Sequence, residues 1–138
     1  MTAYYVGVKM IEAWEQEKDG KPGYAVKYED GYVSWSPADV FERSYFRLED
    51  PEGLTLKEND ITQFFSVVDS QKMGKKTTVA KGTLVNGFEM IEGSSCVVPE
   101  NYNEKLGTAI CVRRMREKVW MLLGFVLQWA KNGIAMEK

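Results

Sequence analysis

The residues from Asn101 to Lys131, NYNEKLGTAICVRRMREKVWMLLGFVLQWAK, constrain the fold more than any other stretch. Their spacing predicts one helix of about eight turns. Val112, Met115, Val119, Leu122, Val126 and Trp129 recur at intervals of three and four and form an apolar stripe. Leu106, Ile110, Trp120 and Leu127 fall roughly on the opposite side, so the helix has two faces to bury. One face is expected to take the chain's own sheet and the other a second copy of the chain, unless the helix is the central core of a monomer. Gly124 fits a close backbone contact, because glycine inside a helix costs about 1 kcal/mol against alanine. The apolar run is too short to cross a bilayer, which needs about 20 such residues.

Strand signals lie ahead of this helix. Tyr4–Ala13 is rich in aromatic and β-branched residues and predicts a first strand; the polar EQEKDGKPG after it predicts a loop. YAVKYEDGYVSWSP predicts a hairpin turning at Asp30-Gly31, with Tyr28 opposite Val33 and Val26 opposite Trp35. Ser36-Pro37-Ala38-Asp39 then starts a short helix, with serine at the N-cap and proline at the first helical position. Leu48–Asn59 reads as a linker, and residues 61–68 fit a short helix or a strand equally. A second hairpin turns at Asn86-Gly87, setting Thr83 opposite Met90 and Lys81 opposite Glu92. Asn101-x-x-Glu104 is placed to cap the long helix. The expected class is α+β: a small antiparallel sheet of two hairpins packed on a long C-terminal helix, with a short helix after the first hairpin. The expected division is a front module over 1–47, a linker over 48–60 and a back module over 61–138, in one compact domain.

Composition narrows the chemistry. The chain has 138 residues and no histidine, which removes histidine acid–base catalysis, serine-type triads and most zinc ligand sets. Cys96 and Cys111 are the only cysteines, too few for a four-thiolate metal site, and they suit a reducing cytoplasm. The net charge of −2 argues against a generally cationic nucleic-acid binder while leaving room for a local basic patch. No carboxylate pair and no glycine-rich phosphate loop stands out. No targeting segment is visible at the N-terminus. The expectation is therefore no enzyme, no metal and no cofactor.

One constellation suits a ligand. Arg113, Arg114, Arg116 and Lys118 crowd two turns of the long helix, and Arg116 lies one turn before Trp120, where it could stack on the indole. Planar cations beside an aromatic ring suit a phosphate or a nucleobase. The alternative is a solvated helix flank with an ordinary Arg113–Glu117 ion pair. Phe88, Asn101, Arg113, Arg114, Arg116, Lys118 and Trp120 are the candidate ligand-binding residues.

Asn86-Gly87-Phe88, Ser95-Cys96, Pro99, Asn101, Gly107, Trp120, Gly124-Phe125 and Leu127-Gln128 together resemble the signature of a family of small tailed-phage proteins. That family includes the products of gene 49 of phage N-four and gene 66 of phage Sf-six. GVKMIEA and GYAVKYEDGYVSWSPADVFERSY are similar to a short module of phage and prophage proteins. Both resemblances imply a phage accessory protein working in the cytoplasm of the infected cell. By layout alone the chain also resembles the anti-Thoeris signal sponge, which sequesters a cyclised ADP-ribose without cleaving it. That likeness implies a homo-oligomer in which Phe88 stacks a base and the helix cations hold phosphates, an anti-Thoeris or anti-CBASS role with no membrane or duplex nucleic acid involved. Inhibition of a host or defence enzyme through the acidic front half, or a role in virion assembly, are the alternatives.

Overall fold

The computed structural model describes residues 1–135; residues 136–138, the end of the expected back module, lie outside them. Two compact units emerge, residues 1–47 with 125–135 and residues 48–124. Among the described residues the class is α+β, with two three-stranded antiparallel sheets and three α-helices.

In the first unit, β1 (Glu12–Glu15), β2 (Gly23–Lys27) and β3 (Val33–Pro37) lie in sequence order, followed by α1 (Ala38–Ser44). The first strand is thus shorter and later than expected: residues 1–11 have strand-forming side chains but no ladder partner. The presumed loop contains the turn between β1 and β2. Asp19 and Gly20 both have positive φ (52° and 77°), and Lys18 and Lys21 exchange two hydrogen bonds of 2.9 Å, which makes a two-residue hairpin. Ala25 and Val26 are buried. Gly23 is required by its neighbour, because a Cβ there would lie 2.3 Å from the Trp35 ring. Tyr24 stacks on Phe41 at 4.1 Å and donates its hydroxyl to Glu42 at 2.9 Å, which lays α1 against β2. α1 starts one residue later than expected. Pro37 stands at its N-cap, and the Ser36 hydroxyl bonds the Pro37 carbonyl instead of capping the helix.

Both Asx-Gly hairpins close on three residues, not two. β2 and β3 pair with Lys27 opposite Val33 and Val26 opposite Ser34. Tyr28 and Tyr32 close the loop Glu29-Asp30-Gly31. In the second unit Leu84 and Phe88 close Val85-Asn86-Gly87 in the same way, so Thr83 faces Glu89 and Lys81 faces Ile91. The expected partners Val26–Trp35, Tyr28–Val33, Thr83–Met90 and Lys81–Glu92 are therefore each off by one. The reason is local. Gly31 and Gly87 each have φ of 88°, while Asp30 and Asn86 are not left-handed and instead accept the amides of Tyr32 (2.9 Å) and Phe88 (3.1 Å). That combination is the turn-plus-bulge loop, which needs glycine only at its last position.

The second unit opens with an ordered loop where a linker was expected. Asp50 accepts the amides of Glu52, Leu54 and Thr55 and the Thr55 hydroxyl, at 2.9–3.1 Å. The backbone hydrogen bond from Glu52, first among these contacts, holds its pKa down to about 2. A carboxylate with a depressed folded pKa stabilises above its ordinary value near 3.8 and loses that contribution as pH falls through about 2. Amide shifts of Leu54 and Thr55, followed by NMR on acidification, are expected to titrate with a midpoint near 2 and to lose that transition in Asp50→Ala.

α2 (Glu58–Phe64) and β4 (Phe65–Met73) resolve the ambiguous residues as a helix running straight into a strand. β4, β5 (Thr77–Leu84) and β6 (Glu89–Ser95) form the sheet in that order. α3 (Glu104–Asn132) begins after a 3-10 turn at Pro99–Asn101. Its cap is Asn103, whose side chain accepts the Leu106 amide at 3.0 Å; Asn101 ends the 3-10 turn instead.

Packing of α3 on β5 follows from two repeats. β5 alternates strictly, with Thr78, Ala80, Gly82 and Leu84 buried. Gly107 sits against Thr78, Cys111 and Met115 cluster with Ala80, Met115 sits against Gly82, and Val119 clusters with Leu84. Two strand residues advance about 6.7 Å and four helix residues about 6 Å, so every second strand residue meets every fourth helix residue. This explains why Cys111, Met115 and Val119 are the buried helix residues, whereas the expected stripe members Leu122 and Val126 are exposed. The close approaches are at Gly107 and Gly82, where an added Cβ would lie 2.3 Å from the Thr78 hydroxyl and 2.7 Å from the Met115 sulfur. Gly124 has nothing within 4 Å and marks no such contact.

Candidate functional site

All seven candidate residues belong to the unit spanning 48–124, and α3 carries five of them. Because each helix residue turns about 100°, consecutive cations do not share a side. Arg114 and Lys118 flank the buried row toward β6. Arg114 donates to the Gly93 carbonyl at 2.6 Å, and Lys118 pairs with Glu92. Arg116 lies about 200° away from both and reaches α2. It donates to the Thr62 hydroxyl at 3.0 Å and the Glu58 carbonyl at 3.2 Å, and pairs with the Glu58 carboxylate. Arg114, Lys118 and Arg116 are thus three separate anchors, not one cationic patch. Arg116 is held by α2 and does not stack on Trp120.

Arg113 points away from the sheet. It makes no hydrogen bond or ion pair among the described residues, including none with Glu117. Trp120 is half-buried, with its ring against the cluster of Ile61, Leu84, Met90 and Val119. Arg113, Arg116 and Trp120, at i, i+3 and i+7, lie on the outer half of the helix. Leu106 and Met121 share that outer half and are 60% and 68% exposed. Of the second apolar face expected from the sequence, only Leu106 is exposed, while Ile110, Trp120 and Leu127 are half-buried.

Phe88 follows the turn between β5 and β6 and is 55% exposed, a ring available to a planar partner. Asn101 is exposed and lines a pocket of about 70 Å³ beside the start of α3, together with Lys76, Thr78, Tyr102 and Asn103. None of the other six candidates lines it. The Thr78 and Tyr102 hydroxyls meet there at 3.0 Å, and Lys72 lies over the Tyr102 ring at 4.6 Å. These polar groups went unnoticed in the sequence because they come from three distant elements. The carboxylates of Glu58 and Glu92 are 58 and 26 residues from their basic partners, and no local spacing announces them.

The two thiols differ in surroundings. Cys111 is fully buried, and burial pushes its thiol above the ordinary value, away from the reactive thiolate. Cys96 is half-buried and donates to the Val98 carbonyl. No group of three or more potential metal ligands occurs among the described residues.

The sequence model of the phage protein (N4 Gp49/phage Sf6 gene 66) family matches residues 39–130, two thirds of the chain. The chain belongs to this family. The match contains the hairpin turn with Phe88, the Ser95-Cys96 end of β6, Asn101, and α3 through Ala130. Most of the front module precedes it. No curated protein and no solved structure matches the chain. The family identifies a bacteriophage protein. No helix among the described residues is long and apolar enough to cross a membrane.

Proposed function

We propose that this phage protein is a counter-defence binding protein that sequesters an anionic, nucleotide-derived signal, such as a cyclised ADP-ribose, without catalysis. One observation carries the reading: Arg113 stands on the outer half of α3 with no protein partner among the described residues, on the helix side that also holds the half-buried Trp120. A free guanidinium about two helical turns from an aromatic residue on the same side of the helix suits a phosphate joined to a base. In this reading a second copy covers Leu106 and Met121 on the same side and closes the site at a subunit interface, in the cytoplasm of the infected cell. Phe88 supplies a stacking ring from the hairpin.

Calorimetric titration with cyclic nucleotides and ADP-ribose derivatives tests it. Arg113→Ala is expected to weaken binding about 10- to 100-fold, the value of one charge-assisted hydrogen bond, while leaving the fold intact because no internal contact is lost. Arg116→Ala is less informative, since it also frees Glu58 and Thr62. Absence of binding at high micromolar ligand removes the reading. A stoichiometric protein captured from host lysate, with no small ligand, would instead identify an inhibitor of a host or defence enzyme.

A further inference from the structure

The segment ahead of β1 has the chemistry of a strand and is exposed over residues 1–7; beyond them Val8, Met10 and Ile11 are half-buried and Lys9 lies over the Tyr28 ring at 4.6 Å. Residues 1–11 contain no turn or bend and make no backbone hydrogen bond among the described residues. Tyr4 is 101% exposed, Tyr5 93% and Val6 78%. Tyr, Val and Ile are the residues that favour a pleated, half-buried ladder. Exposed strand edges are ordinarily protected by charge, proline or a bulge, yet Lys9 is the only charged side chain before Glu12 and no proline occurs there. The segment leads directly into β1, which pairs with β2 on one side and is open on the other. All four β1 residues are exposed, Trp14 by 47%.

We propose that this arm pairs with a second copy of the chain, Tyr4–Met10 of each copy lying antiparallel along Ile11–Glu17 of the other. The sequence favours a copy over a foreign strand because arm and edge complement each other. Antiparallel pairing about a two-fold axis between Met10 and Ile11 sets Lys9 opposite the partner's Glu12, twice by symmetry, and opposite charges across a ladder attract. It also sets Gly7 opposite the partner's Trp14, an aromatic covering an edge glycine. The ladder stops naturally where β1 runs into the Asp19-Gly20 turn. Two three-stranded sheets then join through both arms, each arm filling the open edge of the other copy's β1. The inference is independent of the nucleotide reading and uses a different surface.

Amide exchange on the full-length protein decides it. Among the described residues no amide in 1–11 has a partner, so slowed exchange that depends on protein concentration reports a second chain. Amides of residues 4–10 are expected to exchange at least about tenfold slower than free chain at high protein concentration and to lose that protection on dilution. Val6→Pro, which removes an arm amide without touching an internal contact, is expected to abolish the protection and halve the assembly mass. Lys9→Glu also removes the contact of Lys9 with the Tyr28 ring, so the deciding pair is Lys9→Glu, expected to weaken association, and Lys9→Glu with Glu12→Lys, expected to restore it. Free-chain exchange of residues 4–10 at every concentration, or protection and mass unchanged by Val6→Pro, overturns the proposal. An assembly that keeps its mass in Val6→Pro while binding nucleotide would overturn the arm and leave the binding site standing.

Discussion

Asp60→Ala is expected to lower the stability of the unit spanning residues 48–124 by about 3 kcal/mol. The side chain is 1% exposed, and its carboxylate accepts the Lys57 amide at 2.9 Å and the Glu49 amide at 3.0 Å. One oxygen caps the start of α2, and the other ties down the chain as it enters the unit. Each such bond to a charged acceptor is worth about 1.5–3 kcal/mol, and alanine leaves both amides without that partner. Asp60→Asn keeps the shape but offers one acceptor oxygen, so about half the loss is expected. The measurement is the opening free energy of the slowest-exchanging β5 amides. Equal values for wild type and Asp60→Ala would show that the carboxylate does not organise the loop.

The second large effect is steric. Gly107→Ala is expected to destabilise the same unit by about 1–3 kcal/mol, the usual cost of overpacking. It does so against a gain of up to about 1 kcal/mol from removing a helix glycine. The new Cβ would lie 2.3 Å from the Thr78 hydroxyl oxygen and 2.9 Å from its Cβ. Threonine is branched, and this one is buried and bonded to Tyr102, so it has little room to yield. Gly124→Ala provides the control. With nothing within 4 Å of the added methyl, only the propensity gain remains, and stability is expected to rise by about 0.5–1 kcal/mol. Thermal or urea midpoints of the two variants should therefore move in opposite directions.

Those two glycines show where the sequence could be read and where it could not. Both look the same in the chain, an isolated glycine in an apolar helix, and spacing cannot say which meets a neighbour. The helix itself was plain from periodicity, and Met115 and Val119 were placed correctly because they belong to both the 3.6-residue stripe and the row facing β5. Leu122 and Val126 fit the stripe but not the row. Both Asx-Gly turns were visible, but the register depended on whether the residue before glycine adopts positive φ, which the dipeptide does not state. The start of β4 lay in the stretch left open between helix and strand, and its second half was missed because Asp69, Ser70, Gln71 and Lys72 give an exposed edge strand no alternation. The arm at Tyr4–Ile11 misled in the other direction, having strand composition without a strand partner in its own chain.

The site was legible as a list of residues and not as an arrangement. Arg113, Arg114, Arg116 and Lys118 are neighbours in sequence, yet a helix distributes neighbours around its axis. Glu58, Glu92 and the Gly93 carbonyl then occupy three of the four cations. Arg113, without a partner among the described residues, could be chosen only after its companions had been given theirs.

The fit of α3 to β5 behaves like a vernier. Its two steps differ by about 0.7 Å, so four successive matches accumulate an offset near 2 Å, and the alignment expires close to Val119. A single residue inserted between Gly107 and Val119 would swing everything after it by about 100° and break the match, whereas one inserted beyond Gly124 would leave all four meetings intact. Length variation among natural relatives should accordingly collect downstream of Gly124 and be scarce between Gly107 and Val119.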